Sequence, residues 1–238
     1  MMSTGYVTLT RQVGLMREMQ SVANNLANMS TTGFRKEGVI FSEVIRGVDG
    51  PAGSVSMGAA RVRHTDLQQG SLTATGGRFD FAIEGDGFFM VATSEGERLT
   101  RAGVFTPNEA SELVNPDGHA LLDLGGAPVF VPPDARSVAL SSDGTLSADG
   151  RPLTQIGVFV PSDRNDLQRE SGTLFSAKNG VEPAPNARLM QGFVEGSNVN
   201  PLLEITRMIE VQRSYELGQS FRDKESERTS KMIETIVG

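Results

Sequence analysis

The chain has 238 residues, enough for a sizeable core and for either one folded body with extra elements or two small bodies. Its net charge of -7, with lysine and arginine dispersed among acidic residues, excludes the basic stripe of a nucleic-acid binder. Cysteine is absent, which excludes disulfides, thiol nucleophiles and cysteine metal sites together.

A hydrophobic fraction of 38%, with 27 Gly and 11 Pro, favours short strands joined by many turns. No run approaches the ~18–20 consecutive apolar residues of a membrane span. The N-terminus lacks a cationic segment followed by an apolar one, so neither membrane insertion nor a cleaved secretory signal is expected. Lack of cysteine suits the cytosol, and it equally suits a chain that crosses unfolded into an oxidising compartment.

Leu9, Val13, Met16, Met19, Ala23 and Leu26 recur three or four residues apart, which predicts an amphipathic helix of roughly six turns. Asn28 to Gly33 offers side chains that bond the backbone locally and a glycine for a left-handed turn, so the helix is expected to stop there. Residues 47–63, rich in Gly, Ala and Ser, read as an extended or flexible connection.

The middle has a period near two. Phe79–Ile83, Gly87–Val91, Pro128–Val131 and Ile156–Val160 are short apolar segments. Asp86-Gly87, Asp117-Gly118, Asp143-Gly144 and Asp149-Gly150 separate them as turn signals, which predicts an antiparallel sheet or barrel-like body. Asn200-Pro201 reads as a helix start, followed at helical spacing by Leu202, Ile205, Met208, Ile209, Gln212, Tyr215 and Phe221. That stripe thins over the charged stretch Arg222 to Lys231 and resumes at Met232, Ile233 and Ile236.

The catalytic inventory is thin. His64 and His119 lie in separate turn-rich segments with no metal-ligand spacing, and both read as ordinary surface histidines. Gly85-Asp86-Gly87 lacks the Lys and hydroxyl of a phosphate loop and the carboxylate spacing of a calcium loop, so it reads as a strand-to-strand turn. Phe34, Phe41, Phe88, Phe89, Phe105 and Phe193 are core anchors by default, whereas Met16, Met19 and Met208 suit core or an adaptable interface equally. Arg222 to Lys231 reads as a solvated face whose mixed signs could also pair with neighbours.

Two terminal apolar stripes flank a body with its own core, and isolated helices draw their stability from burying such stripes. They are expected to pair with each other, with another copy, or with both, and contacts that do not close into a ring build a filament.

Ala23-Asn24-Asn25-Leu26-Ala27-Asn28 followed by Thr31-Thr32-Gly33-Phe34-Arg35 resembles the N-terminal signature of flagellar basal-body rod and hook proteins. Glu195-Gly196-Ser197-Asn198-Val199-Asn200, then Met208-Ile209, Gln212-Arg213 and Tyr215-Glu216, resembles their C-terminal signature. Ile83–Phe89, Thr100–Phe105 and Leu113–Gly118 are similar to the family's body, so the resemblance covers nearly the whole chain. Ser30 and Asn108–Glu112 depart from the family pattern. Tyr6-Val7, Leu9 and Arg11-Gln12 are more like the F-type proximal rod subunits than the distal G-type.

The resemblance implies a non-enzymatic structural subunit without cofactor, which travels unfolded through the flagellar type III export apparatus. It implies helical assembly, with other copies and other rod proteins, into the periplasmic drive shaft of the basal body. The expected fold is mixed α and β: residues 1–32 and 198–238 as long terminal helices pairing in a coiled-coil-like layer, 33–70 as an extended connection, and 71–197 as a β-rich antiparallel domain. Leu9, Val13, Met16, Leu26, Ile205, Ile209, Gln212 and Tyr215 are the residues expected between subunits. Asn25, Asn28, Gly33 and Phe34 are expected to set the turn out of the first helix. Competing expectations are a distal rod or hook-type subunit of the same family, a β-rich extracytoplasmic binding module with a concave apolar pocket, and a carbohydrate-active enzyme using Asp86 with a second carboxylate.

Overall fold

The structure, a computed structural model, describes residues 2–47, 54–184 and 186–237. Residues 48–53 of the expected connection lie outside the described residues, as do the side chains of Phe41, Ile233 and Ile236. Eighteen strands and two α-helices are described, and every strand pairing among them is antiparallel. The contacts divide the chain into two units.

The first unit holds helix α1 (Met2–Ala27), strands β1 (Glu37–Gly47) and β2 (Ser54–Thr65), and helix α2 (Pro201–Val237). β1 and β2 form a long hairpin running from Glu37 opposite Thr65 to Gly47 opposite Ser54, with a bulge at Ile40/Phe41 that strengthens its twist. α1 packs against both hairpin strands and α2. α2 begins where Asn200 caps it: the Asn200 Oδ1 accepts from the N–H groups of Leu202 (3.1 Å) and Leu203 (3.3 Å), and Pro201 fills the first turn.

The second unit comprises Asn28–Lys36 and Leu67–Val199. It contains β3 (Leu72–Ala74), β4 (Phe81–Glu84), β5 (Phe88–Thr93) and β6 (Gly96–Thr100), followed by shorter strands. β5 lies at the centre, paired with β6, with Ala120–Leu121 and with Val158–Pro161. Side chains alternate across a strand. Phe89 and Val91 therefore enter a core with Phe81, Ile83, Phe105, Leu113 and Leu121, while Phe88 and Met90 enter a second with Leu99, Phe159 and Phe175. This two-sided burial is why the Phe88–Val91 run is continuously apolar.

The expected fold class needs correction. The chain is mostly β, with one N-terminal helix of 26 residues and one C-terminal helix of 37, and these do not pair as a coiled coil. Leu9, Val13 and Met16 on α1, and Ile205 and Ile209 on α2, are exposed in the single chain. The inward face of α1 is instead polar and small, carrying Gln12, Glu18, Ser21 and Asn25 beside Val22, and it meets the rest of the unit through hydrogen bonds. Helical periodicity locates an apolar stripe but not the partner that covers it.

Candidate assembly interface

The candidate interface starts from the outward faces of the two helices. Leu9, Val13 and Met16 follow one another at steps of four and three, so they share one face of α1. All three are about half exposed, at 50%, 46% and 51%. On α2, Ile205, Ile209 and Gln212 share a face in the same way and are exposed, whereas Tyr215 and, on α1, Leu26 are half-buried. The Gln212 amide donates to Glu216 at 3.2 Å along the same helix. Leu203 and Leu217 are also strongly exposed on α2, together with Leu202 and Phe221. Their step of four at Leu217 and Phe221 was a readable signal, although the charged stretch after Phe221 obscured it.

The opposite faces are held by buried polar groups. Asn25, fully buried, does not join the turn that follows the helix but ties three segments of the first unit together. Its Oδ1 accepts from the Glu37 N–H (2.8 Å), and its Nδ2 donates to the Glu37 carbonyl (2.8 Å) and the Glu204 carboxylate (2.9 Å). Ser21 also donates to the Glu37 carbonyl, at 3.1 Å. Farther along, Arg207 Nε donates to Glu18 at 2.6 Å. The first turn of α2 and the start of β1 are thus positioned by the asparagine of the N-terminal signature.

In the second unit, residues 28–34 run through a turn. The Asn28 carbonyl accepts from the Thr31 N–H (3.1 Å), and the Phe34 N–H donates to the Thr31 carbonyl (3.2 Å). Gly33 has φ +71°, and a Cβ there would stand 2.2 Å from the Ala102 nitrogen, so only glycine fits. Phe34 is buried under the Arg169 guanidinium, 4.5 Å from its ring centroid.

Next to this turn lies a group of buried charges that hydropathy places on the surface. Glu195 accepts from Arg35 at 2.8 Å, from Arg101 at 2.9 Å and from the Gly70 N–H at 2.9 Å, with all three side chains buried. Arg35 also donates to the Gln68 carbonyl, and Arg101 donates to the Ile83 carbonyl at 3.2 Å. Burial lowers the Arg101 pKa to about 10 even though Glu195 opposes the shift. One carboxylate serving two guanidiniums joins residues 35, 101 and 195, each from a segment that resembles the flagellar proteins. That shared placement was the only sequence signal for them.

Asp86 lines a cavity of about 290 Å³ with Arg35, Phe88, Arg101 and Glu182. Among the described residues, no group of three or more His, Asp or Glu could hold a metal ion, and no helix is long and apolar enough to cross a membrane.

The family model for the flagellar hook protein FlgE/F/G D1 domain matches residues 82–148, and that for the flagellar basal body rod FlgEFG protein C-terminal region matches 190–221. The flagellar basal-body rod protein FlgF of Caulobacter vibrioides is 36% identical, covering 97% of this chain and 96% of its own. FlgF of Mesorhizobium japonicum is 35% identical with the same coverage, and FlgG of Bacillus subtilis is 30% identical over 91% of this chain and 92% of its own.

Proposed function

Because the chain belongs to the flagellar basal-body rod proteins, in their F type, and is a structural subunit of that rod, we propose that it polymerises helically within the periplasmic drive shaft. In this reading it assembles with other copies and with other rod proteins, carries torque towards hook and filament, and catalyses no reaction. Segments 1–32 and 198–238 face neighbours along the inner tube, 33–70 braces adjacent subunits, and 71–197 forms the outer layer. The chain reaches the periplasm unfolded through the flagellar type III export apparatus, a route compatible with the absence of cysteine.

The observation that carries the reading is the outward apolar face on each terminal helix, Leu9, Val13 and Met16 on one and Ile205 and Ile209 on the other. Half-exposed side chains of this size each contribute roughly 1 kcal/mol when a neighbour covers them. Repeated along a polymer, such contacts stiffen the shaft.

The test is a double variant, Val13→Asp with Ile209→Asp. Since both side chains are exposed, the isolated chain is expected to keep its far-UV circular dichroism and its unfolding free energy to within about 0.5 kcal/mol. The variant is expected to be missing from purified basal bodies and its cells non-motile. A variant that is retained in basal bodies of normally swimming cells would contradict the reading.

A further inference from the structure

The first unit carries a groove of about 420 Å³ between the N-terminal half of α1 and the middle of α2. Thr8, Arg11 and Gln12 line one side, and Leu217, Gly218 and Phe221 the other. Two features suit it to a polar as well as an apolar occupant. Arg11 stands exposed at the rim, and Arg222 donates to the Gln12 Oε1 at 3.4 Å, so the cationic charge is concentrated there. Gln12 is only 5% exposed, yet its Nε2 has no hydrogen-bond partner among the described residues. A buried donor left unmade costs about 1–3 kcal/mol, a cost removed when Gln12 turns into the groove to meet an acceptor brought by an occupant.

The occupant must therefore be apolar, anionic and of matching length. The only acidic residue of α1 is Glu18, which is buried against Arg207, so the exposed stripe of α1 offers no anion. The exposed stripe of α2 does: Ile209, Gln212 and Glu216 follow at steps of three and four on one face, and Glu216 is exposed. From Ile209 to Glu216 the rise is about 10 Å, and the groove wall from Thr8 to Leu15 has the same rise, about 10 Å.

We propose that this groove receives the outer face of α2 from a second copy of the chain, with Ile209 against Leu217 and Phe221 and the Glu216 carboxylate against Arg11. The proposal rests on the rod-subunit reading and specifies its contact. In this arrangement Arg11, Gln12 and Glu216 fix the axial register of neighbouring subunits, since a polar pair set in an apolar contact penalises every slipped alignment.

The chain has no cysteine, so paired cysteines report this contact without background from the chain itself. Thr8→Cys with Gln212→Cys is the reporting pair. Within one chain the helices run in opposite directions, with Asn25 at Glu204 and Gln12 at Gly218, which puts Thr8 near Phe221. Gln212 is nine residues from Phe221, about 13 Å along α2, beyond the ~7 Å limit of a disulfide.

Basal bodies purified from cells producing the double-cysteine chain are oxidised and run on a denaturing gel, probed for this chain. The expected result is a dimer of the chain that disappears on reduction and is absent from either single variant. Adding Arg11→Glu is expected to abolish the dimer, and adding Glu216→Arg to that chain to restore it. Monomer only, with the chain present in the basal bodies, overturns the proposed contact and leaves the rod-subunit reading standing. A cross-link to a species of another mass likewise overturns the second-copy assignment. Absence of the unsubstituted chain from basal bodies would instead overturn the rod-subunit reading.

Discussion

Replacing Glu195 by Ala is expected to unfold the second unit at much lower denaturant than any surface substitution. The carboxylate is shared by Arg35 and Arg101 and also accepts from the Gly70 N–H, and all three side chains are buried. Removing one partner of a buried ion pair costs about 3–5 kcal/mol, because the remaining charge stays desolvated. Here two guanidiniums are stranded, so the upper end, about 5 kcal/mol, is the expectation, a large part of the ~5–15 kcal/mol that holds a domain. Burial already pulls the Arg101 pKa down to about 10 with its counterion present, which shows how poorly the site tolerates its positive charge. The same reasoning predicts an asymmetry: Arg35→Met, Arg101→Met and Glu195→Leu combined should cost far less than Glu195→Ala alone, since no charge is left behind. Urea titrations of the full chain, followed by the β signal in far-UV circular dichroism, measure both. A Glu195→Ala loss under about 1 kcal/mol, or a triple variant as unstable as the single one, would refute the argument.

Three further outcomes follow from the geometry. Gly33→Ala should cost at least about 2 kcal/mol by thermal melting, because a left-handed backbone is strained for alanine and its Cβ meets the Ala102 backbone. Asn25→Ala removes the acceptor of the Glu37 N–H and one donor each from the Glu37 carbonyl and the Glu204 carboxylate, so about 2 kcal/mol or more should be lost, with hydrogen exchange at the Glu37 amide accelerating first. The carboxyls of Asp143, bonded by Thr145, of Asp149, bonded by Ser137, and of Glu170, bonded by Arg98, are all held below their usual range. A depressed carboxyl stabilises fully above its unfolded pKa and loses that contribution as pH falls through its folded one. The stability of the second unit should therefore be flat from neutral pH to about 5 and decline below about pH 4, as measured by urea midpoints across that range.

The turns and the strand core were legible because their signals are local. Asp149 and Gly150 both take positive φ, at 50° and 78°, as an Asp-Gly hairpin turn requires, and the Asn200-Pro201 start needs only its own neighbours. The disposition of the terminal helices was not legible. Periodicity marked Leu9, Val13 and Met16 as a face to be buried, but the chain covers the other face, where Ser21 and Asn25 reach Glu37 and Glu204. Periodicity marks an apolar stripe without saying which face of the helix its own chain covers. The group of Arg35, Arg101 and Glu195 was hidden for a different reason. Charged residues read as surface, and these three are brought together across 160 positions by a fold that the local pattern does not specify.

The most direct test of the central claim is electron microscopy of basal bodies from cells whose chain carries a compact tag in the exposed turn at Glu95, between β5 and β6. A rod subunit of the F type predicts extra density confined to a narrow band on the rod in cells that still swim. Basal bodies from swimming, tag-producing cells with no added density on the rod would contradict it.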